Sequence, residues 1–245
     1  PPEEEMVEIG PLLKGGLRDI GRSGDGTGMV YLSLALPGEG IGSLEDMSGL
    51  SMLQSIDLSD NALTNDQMGA LDGLPYLLNL NLAGNALTEF PGLSATVNLK
   101  SADLSRNALT SLGCSGHRFM KSLIVDVNQL GSLDGLARCR CLRNLSACRN
   151  ALTGTGELAA FADPTLERLL ISGNAVEAVT GLEALLGLVL VDLSQNKLTT
   201  LAGLDNHPIL VDLFAADNVS THATFQSPVP SSPDSDRLLV MNRRS

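Results

Sequence analysis

The sequence predicts an α/β solenoid of about nine coils, each of about 22 residues and each giving one short strand to a parallel sheet on the concave side. Three observations predict it. First, the pattern L-x-x-L-x-L-x-x-N recurs along most of the 245 residues. It is plainest at Leu53-Ile56-Leu58-Asn61, Leu77-Leu80-Leu82-Asn85 and Leu188-Val191-Leu193-Asn196. Second, the last positions of nine copies fall at 39, 61, 85, 107, 128, 150, 174, 196 and 218, so the spacing stays between 21 and 24. Third, apolar residues recur at every third position after the asparagine, as in Leu130-Leu133-Leu136 and Val176-Val179-Leu182-Leu185. A fixed period of this length is the mark of a stacked-coil architecture.

The elements follow in order. Gly10-Pro11 with Leu12, Leu13, Leu17 and Ile20 predicts a short amphipathic cap helix, with Pro11 in its first turn and Gly15-Gly16 weakening it. Gly24-Asp25-Gly26 turns into the first strand at Tyr31-Leu34-Leu36, where Glu39 stands in place of Asn. Each x-L-x-L-x stretch is a strand whose two apolar residues point inward. The worn copies end at Asn107, Asn128, Asn150, Asn174 and Asn218, and with Asn61, Asn85 and Asn196 they predict a ladder of side-chain amides bonding neighbouring coils. Period three suits 3-10 turns, so the convex side is expected to be mostly 3-10 and irregular. Two 24-residue copies carry helix-permissive inserts at 65–68 and 157–161. At the end, Ser227–Asp234 reads as an extended Pro/Ser loop and Leu238–Met241 as a closing strand. The expected organisation is a cap at 1–28, a solenoid at 29–220 and a closing segment at 221–245.

These repeats are identified as leucine-rich repeats. The 22-residue form resembles the subclass that includes a phosphatase-1 regulatory subunit and an axonemal dynein light chain. Leu12-Leu13-Lys14-Gly15-Gly16-Leu17, Gly24-Asp25-Gly26 and Tyr31-Leu32-Ser33-Leu34, continuing through Ile56–Thr64, resemble the leucine-rich-repeat protein of the ciliary radial spoke. The closing segment departs from that family, with Asn218-Val219 where it has Asn-Pro and Phe225-Gln226 near its usual Tyr-Arg. The resemblance implies a non-enzymatic structural adaptor bound to other radial spoke or axonemal proteins, located in the cytoplasm and cytoskeleton, in the axoneme of a cilium or flagellum. The alternative is a regulatory subunit that binds a protein phosphatase or a dynein motor through the concave face. Leucine-rich GTPase activators have longer repeats, of roughly 28 residues, which the period here disfavours.

Composition narrows the function. A net charge of −12, with 16 basic against 28 acidic residues, argues against nucleic acid and anionic membranes. Two Tyr, five Phe and no Trp leave little surface for base stacking. No apolar run approaches the roughly 20 residues that span a bilayer. Pro1-Pro2-Glu3-Glu4-Glu5 is acidic where a signal peptide is basic, and without an initiator Met it leads us to expect a longer chain. No small-molecule substrate, cofactor or metal is expected. There is no phosphate loop, H-E-x-x-H or G-x-S-x-G, and Gly154-Thr-Gly156 lacks a third glycine in frame. Cys114, Cys139, Cys141 and Cys148 with His117 lack the usual zinc spacing and read as structural thiols. His207 and His222 have no partner at motif spacing. The sequons at Asn144 and Asn218 read as chance, because Asn218 belongs to the ladder.

The concave column between the inward leucines reads Ala35, Asp57, Asn81, Asp103, Ile124, Ser146, Leu170, Asp192, Phe214. Asp57, Asp103 and Asp192 form an acidic row that could take basic partners or simply be solvated, and Asp57 and Asp103 stand too far apart to share a metal. Ile124, Leu170 and Phe214, with neighbouring Leu190, put apolar side chains on that face only in the second half of the chain. An exposed apolar patch is a candidate interface. Arg138, Arg140, Arg143 and Arg149, with Arg118 and Lys121, form a secondary basic patch. Docking of an acidic partner and a plain solvated face account for it equally.

Overall fold

The computed structural model describes residues 7–219, without 24, 25, 27, 92, 94, 95, 114, 115, 137, 157, 159–164, 205 and 206. The expected closing segment at 221–245, Cys114, His222, Gly24-Asp25 and most of the insert at 157–161 lie outside the described residues.

Nine parallel strands stack in chain order: β3 (Met29–Ala35), β5 (Ser55–Asp57), β6 (Asn79–Asn81), β7 (Ser101–Asp103), β8 (Ser122–Ile124), β9 (Asn144–Ser146), β10 (Arg168–Leu170), β11 (Leu190–Asp192) and β12 (Asp212–Phe214). From β5 onward each strand is three residues long, because only the x-L-x core of the repeat is extended. The middle residue is buried and its two neighbours face out, except in β9, where Ser146 is buried as well. Ile56, Ala102, Leu123, Val191 and Leu213 therefore line one continuous core with the leucines of the coils. The register is unbroken: Ala35, Asp57, Asn81, Asp103, Ile124, Ser146, Leu170, Asp192 and Phe214 are paired in series.

Away from the sheet the described coils are turns and 3-10 helices, at Glu45–Gly49, Asn65–Gly73 and Leu182–Ala184. The insert at 65–68 opens the longest of these. Gln67 Oε1 accepts from the Thr64 N–H at 2.8 Å, which fixes its first turn.

The short N-terminal cap helix expected is present, but it stops before Leu17 and Ile20. A 3-10 turn at Gly10–Leu12 leads into α1 (Leu13–Gly16), and the chain then extends as β2 (Leu17–Arg22). Strand β2 pairs antiparallel with β3, so Leu17 and Ile20 lie in a hairpin. Gly15-Gly16 explains the early stop, since glycine is a poor helix former. Gly16 is also packed so that an added Cβ would stand 2.5 Å from the Leu36 side chain. A further pair, β1 (Val7–Glu8) with β4 (Ile41–Ser43), ties the residues ahead of the cap to the first coil.

Candidate protein-interaction surface

The sheet has a leading edge, where strands begin, and a trailing edge, where they end. At the trailing edge every expected asparagine spans two coils. Asn107 Nδ2 donates to Leu82 O and Leu104 O at 3.0 Å each, and its Oδ1 accepts from the Leu87 N–H at 3.0 Å. Asn128 repeats this with Leu104, Val125 and Leu109. Asn61, Asn85, Asn150, Asn174, Asn196 and Asn218 make the same three-way contact. The Asn218 amide at the sequon is thus held by Leu193 O and Ala215 O.

Two further columns stand beside the ladder. The residue just before each asparagine has a left-handed backbone: Asp60, Gly84, Arg106, Val127, Arg149, Gly173, Gln195 and Asp217, with φ between 55° and 71°. Only the glycines at 84 and 173 signalled this in the sequence. Gly84 also lets Asp60 reach Arg106 at 2.9 Å across the coil between them, since a Cβ there would meet Asp60 Oδ1 at 2.2 Å. The second column is the acidic row. Asp57, Asp103 and Asp192 each accept, through Oδ1, the backbone N–H two residues on, from Ser59, Ser105 and Ser194 at 2.9–3.0 Å. Asn81 does the same for Ala83. In the coil of Ser146 the neighbouring Asp126 takes over, accepting from Ser146 Oγ and the Cys148 N–H at 2.7 Å each. These carboxylates close the turn off the strand.

On the sheet face, Leu170, Leu190 and Phe214 are half-buried and lie on diagonals of the ladder. Leu190 pairs with Arg168 and Asp212, which places it diagonal to Leu170 on β10 and to Phe214 on β12. Such diagonal neighbours are within reach of long and aromatic side chains. Ile124 stands apart, two strands from Leu170 with Ser146 between them. A second apolar area, which sequence reasoning missed, lies on the N-terminal hairpin. Ile20, Met29 and Tyr31 are 59%, 68% and 44% exposed, and a groove of about 200 Å³ runs between Met29, Tyr31, Leu50 and Met52.

The basic patch divides. Arg138, Arg140 and Arg143 are exposed at the leading edge, while Arg149 sits in the left-handed column at the trailing edge, with the width of the sheet between them. Arg143 pairs with Glu167 at 2.8 Å. Arg118 lies over the Phe119 ring at 4.9 Å.

The thiols and histidines are scattered. Cys139 is buried, whereas Cys148 takes a bond from Ser172 Oγ at 3.3 Å. Among the described residues no three His, Cys, Asp or Glu are placed to hold a metal, and no helix is long and apolar enough to cross a membrane. His207 and His117 occupy equivalent places in two coils, three residues before the first strand leucine. His207 is buried with its ring nitrogens 2.9 Å from Leu182 O and 3.2 Å from Leu204 O. His117 is buried edge-on to Phe90, centroids 5.4 Å apart, and neither ring nitrogen has a hydrogen-bond partner among the described residues. Burial pushes its pKa below the usual histidine value.

No family model matches the chain. A human leucine-rich repeat and guanylate kinase domain-containing protein is 34% identical over 107 residues, 40% of this chain. The chain spans 13% of that protein's length. Among solved structures, a chain from the octameric complex of latrophilin 3, Unc5D and the leucine-rich repeat of FLRT2 superposes with a TM-score of 0.70 at 21% identity, covering 81% of this chain and 68% of that one. Internalin C2 of Listeria monocytogenes gives 0.58 at 22%, covering 80% and 77%. A leucine-rich repeat protein of Leptospira interrogans gives 0.65 at 22%, covering 77% and 55%. The fold is the leucine-rich repeat. Within it the ladder, the left-handed column and the aspartate row brace the turns of the coil, whereas the apolar zigzag, the N-terminal hairpin and most cations of the leading edge present side chains that the described coil does not use.

Proposed function

We propose that this leucine-rich-repeat chain is a non-enzymatic structural adaptor that holds other proteins of the radial spoke together in the axoneme of a motile cilium or flagellum. The observation that carries an adaptor role is the Leu170–Leu190–Phe214 zigzag on β10 to β12. It places apolar side chains on an outward sheet face, next to Asp192 and Asp212, where packing of the coil does not call for them. Leucine-rich-repeat neighbours support a role in protein–protein contact, one of them coming from a complex of several proteins. The spoke assignment rests on the resemblance of Leu12–Leu17, Gly24–Gly26 and Tyr31–Leu34.

Burying apolar area contributes roughly 25 cal/mol per Å², so Phe214 as an anchor is worth about 2 kcal/mol at an interface. The test is incorporation of Phe214→Ser into salt-extracted axonemes, with circular dichroism confirming the fold. Weakened incorporation, more so at high salt, supports the sheet face and a basic partner. Normal incorporation moves the interface elsewhere. Retention of a phosphatase catalytic subunit without axonemal fractionation replaces the spoke role with the regulatory one.

A further inference from the structure

We infer that the leading edge of the fourth to sixth coils is a docking site for a short acidic peptide segment of a protein partner. The position after the first strand leucine of each coil forms a column joined by backbone bonds. The Lys121 N–H donates to Lys100 O at 2.7 Å, and the Arg143 N–H to Lys121 O at 2.9 Å. Three exposed cations therefore stand at neighbouring positions, about 4.8 Å apart at the backbone. The column reads Leu78 before them and Glu167, Val189 and Val211 after them, so the run is confined to these coils. Arg118 and Arg140 lie three residues ahead of Lys121 and Arg143, at the tips of the turns closed by Met120 N–H to His117 O and Leu142 N–H to Cys139 O. Arg138 is exposed beside them.

Like charges directly opposite one another in a sheet are destabilising, so the isolated coil has no use for this array. Among the described residues Lys100, Arg118, Lys121, Arg138 and Arg140 form no ion pair, and Glu167 compensates Arg143 alone. Six of the 16 basic residues gather here on a chain of net charge −12. A locally positive field on an acidic protein selects a compact anion over a long one, because the rest of the surface repels an extended polyanion. The array spans only three coils, about 10 Å between its outer column members. Phe119, 43% exposed under Arg118, adds an apolar contact that a peptide side chain can cover. These features fit a run of glutamates or aspartates in an extended protein segment. The inference does not depend on the spoke assignment.

Fluorescence anisotropy with a labelled octaglutamate peptide tests it, with a single-stranded oligonucleotide of equal charge as comparison. The full chain should bind octaglutamate saturably, bind the oligonucleotide far more weakly, and lose affinity for the peptide as salt is raised. The double variant Lys100→Glu/Lys121→Glu should weaken binding about tenfold. Lys14→Glu/Lys197→Glu, the same charge change at exposed sites elsewhere, should leave it unchanged. Equal weakening by both doubles would show only an effect of net charge and overturn the site. Absence of saturable octaglutamate binding by the parent chain, or equal binding of the oligonucleotide, would overturn it as well. Circular dichroism of each variant confirms that the coil is intact.

Discussion

Asn128 at the trailing edge and Lys121 at the leading edge belong to the same coil. The amide of Asn128 bonds Leu104 O, Val125 O and the Leu109 N–H, whereas the ammonium of Lys121 has no hydrogen-bond or ion-pair partner among the described residues. The difference holds along the edges. At the trailing edge the ladder asparagines are matched to backbone groups, and Asp57, Asp103 and Asp192 to turn N–H groups. Of the six cations at the leading edge, only Arg143 and Arg118 have a side-chain partner among the described residues, one an exposed carboxylate and the other a ring. A polar residue that recurs at the repeat period is therefore a part of the coil, while a polar run that breaks the period is a candidate for outside contact.

Replacing ladder residues should break this comparison most visibly. Asn107→Leu or Asn128→Leu strands buried carbonyls and an N–H, and should cost about 1–3 kcal/mol in guanidinium unfolding. Val127→Asn should act in the other direction. Val127 is a β-branched residue held at φ 56° and exposed, so it carries the cost of a left-handed backbone without packing in return. Asparagine tolerates that conformation, and a gain of about 1 kcal/mol is expected in the same measurement.

His117 gives a smaller effect that depends on pH. Its folded pKa lies below 6.5, so as pH falls through 6.5 the unfolded chain takes up a proton that the folded chain refuses. Stability from this group is full above 6.5 and is lost on the acid side until the folded pKa is passed. His117→Leu, which installs the residue found at the equivalent positions 74 and 185, should flatten the acid-side decline seen in unfolding at pH 5 and pH 7. An unchanged slope would mean that His117 is hydrated in solution. The smallest change is expected at Asp103→Ser, under about 0.5 kcal/mol, because a serine hydroxyl can still accept from the Ser105 N–H.

The repeat made the coils legible. Leu53-Ile56-Leu58-Asn61 and its copies fixed strand, inward face and ladder position, since each residue type has one mechanical task there. The cap was less legible. Leu12, Leu13, Leu17 and Ile20 have helical spacing, yet Gly15-Gly16 and pairing with β3 turned the second half into a strand. The left-handed column was hidden because six of its eight members are not glycine, and it is imposed by the turn rather than by residue preference. The aspartate row was visible, but a sequence does not show which N–H a carboxylate meets. In the basic patch, closeness in sequence misled: Arg143 and Arg149 are six residues apart and lie on opposite edges.

The claim that the trailing edge builds the coil while the leading edge is free for a partner is tested most directly by unfolding two variants side by side. Asn128→Ala should lose about 1–3 kcal/mol. Lys100→Ala/Lys121→Ala/Arg143→Ala should stay within about 0.5 kcal/mol of the parent chain or gain slightly, since it removes stacked like charges. A loss in the triple variant as large as that in Asn128→Ala would contradict the account.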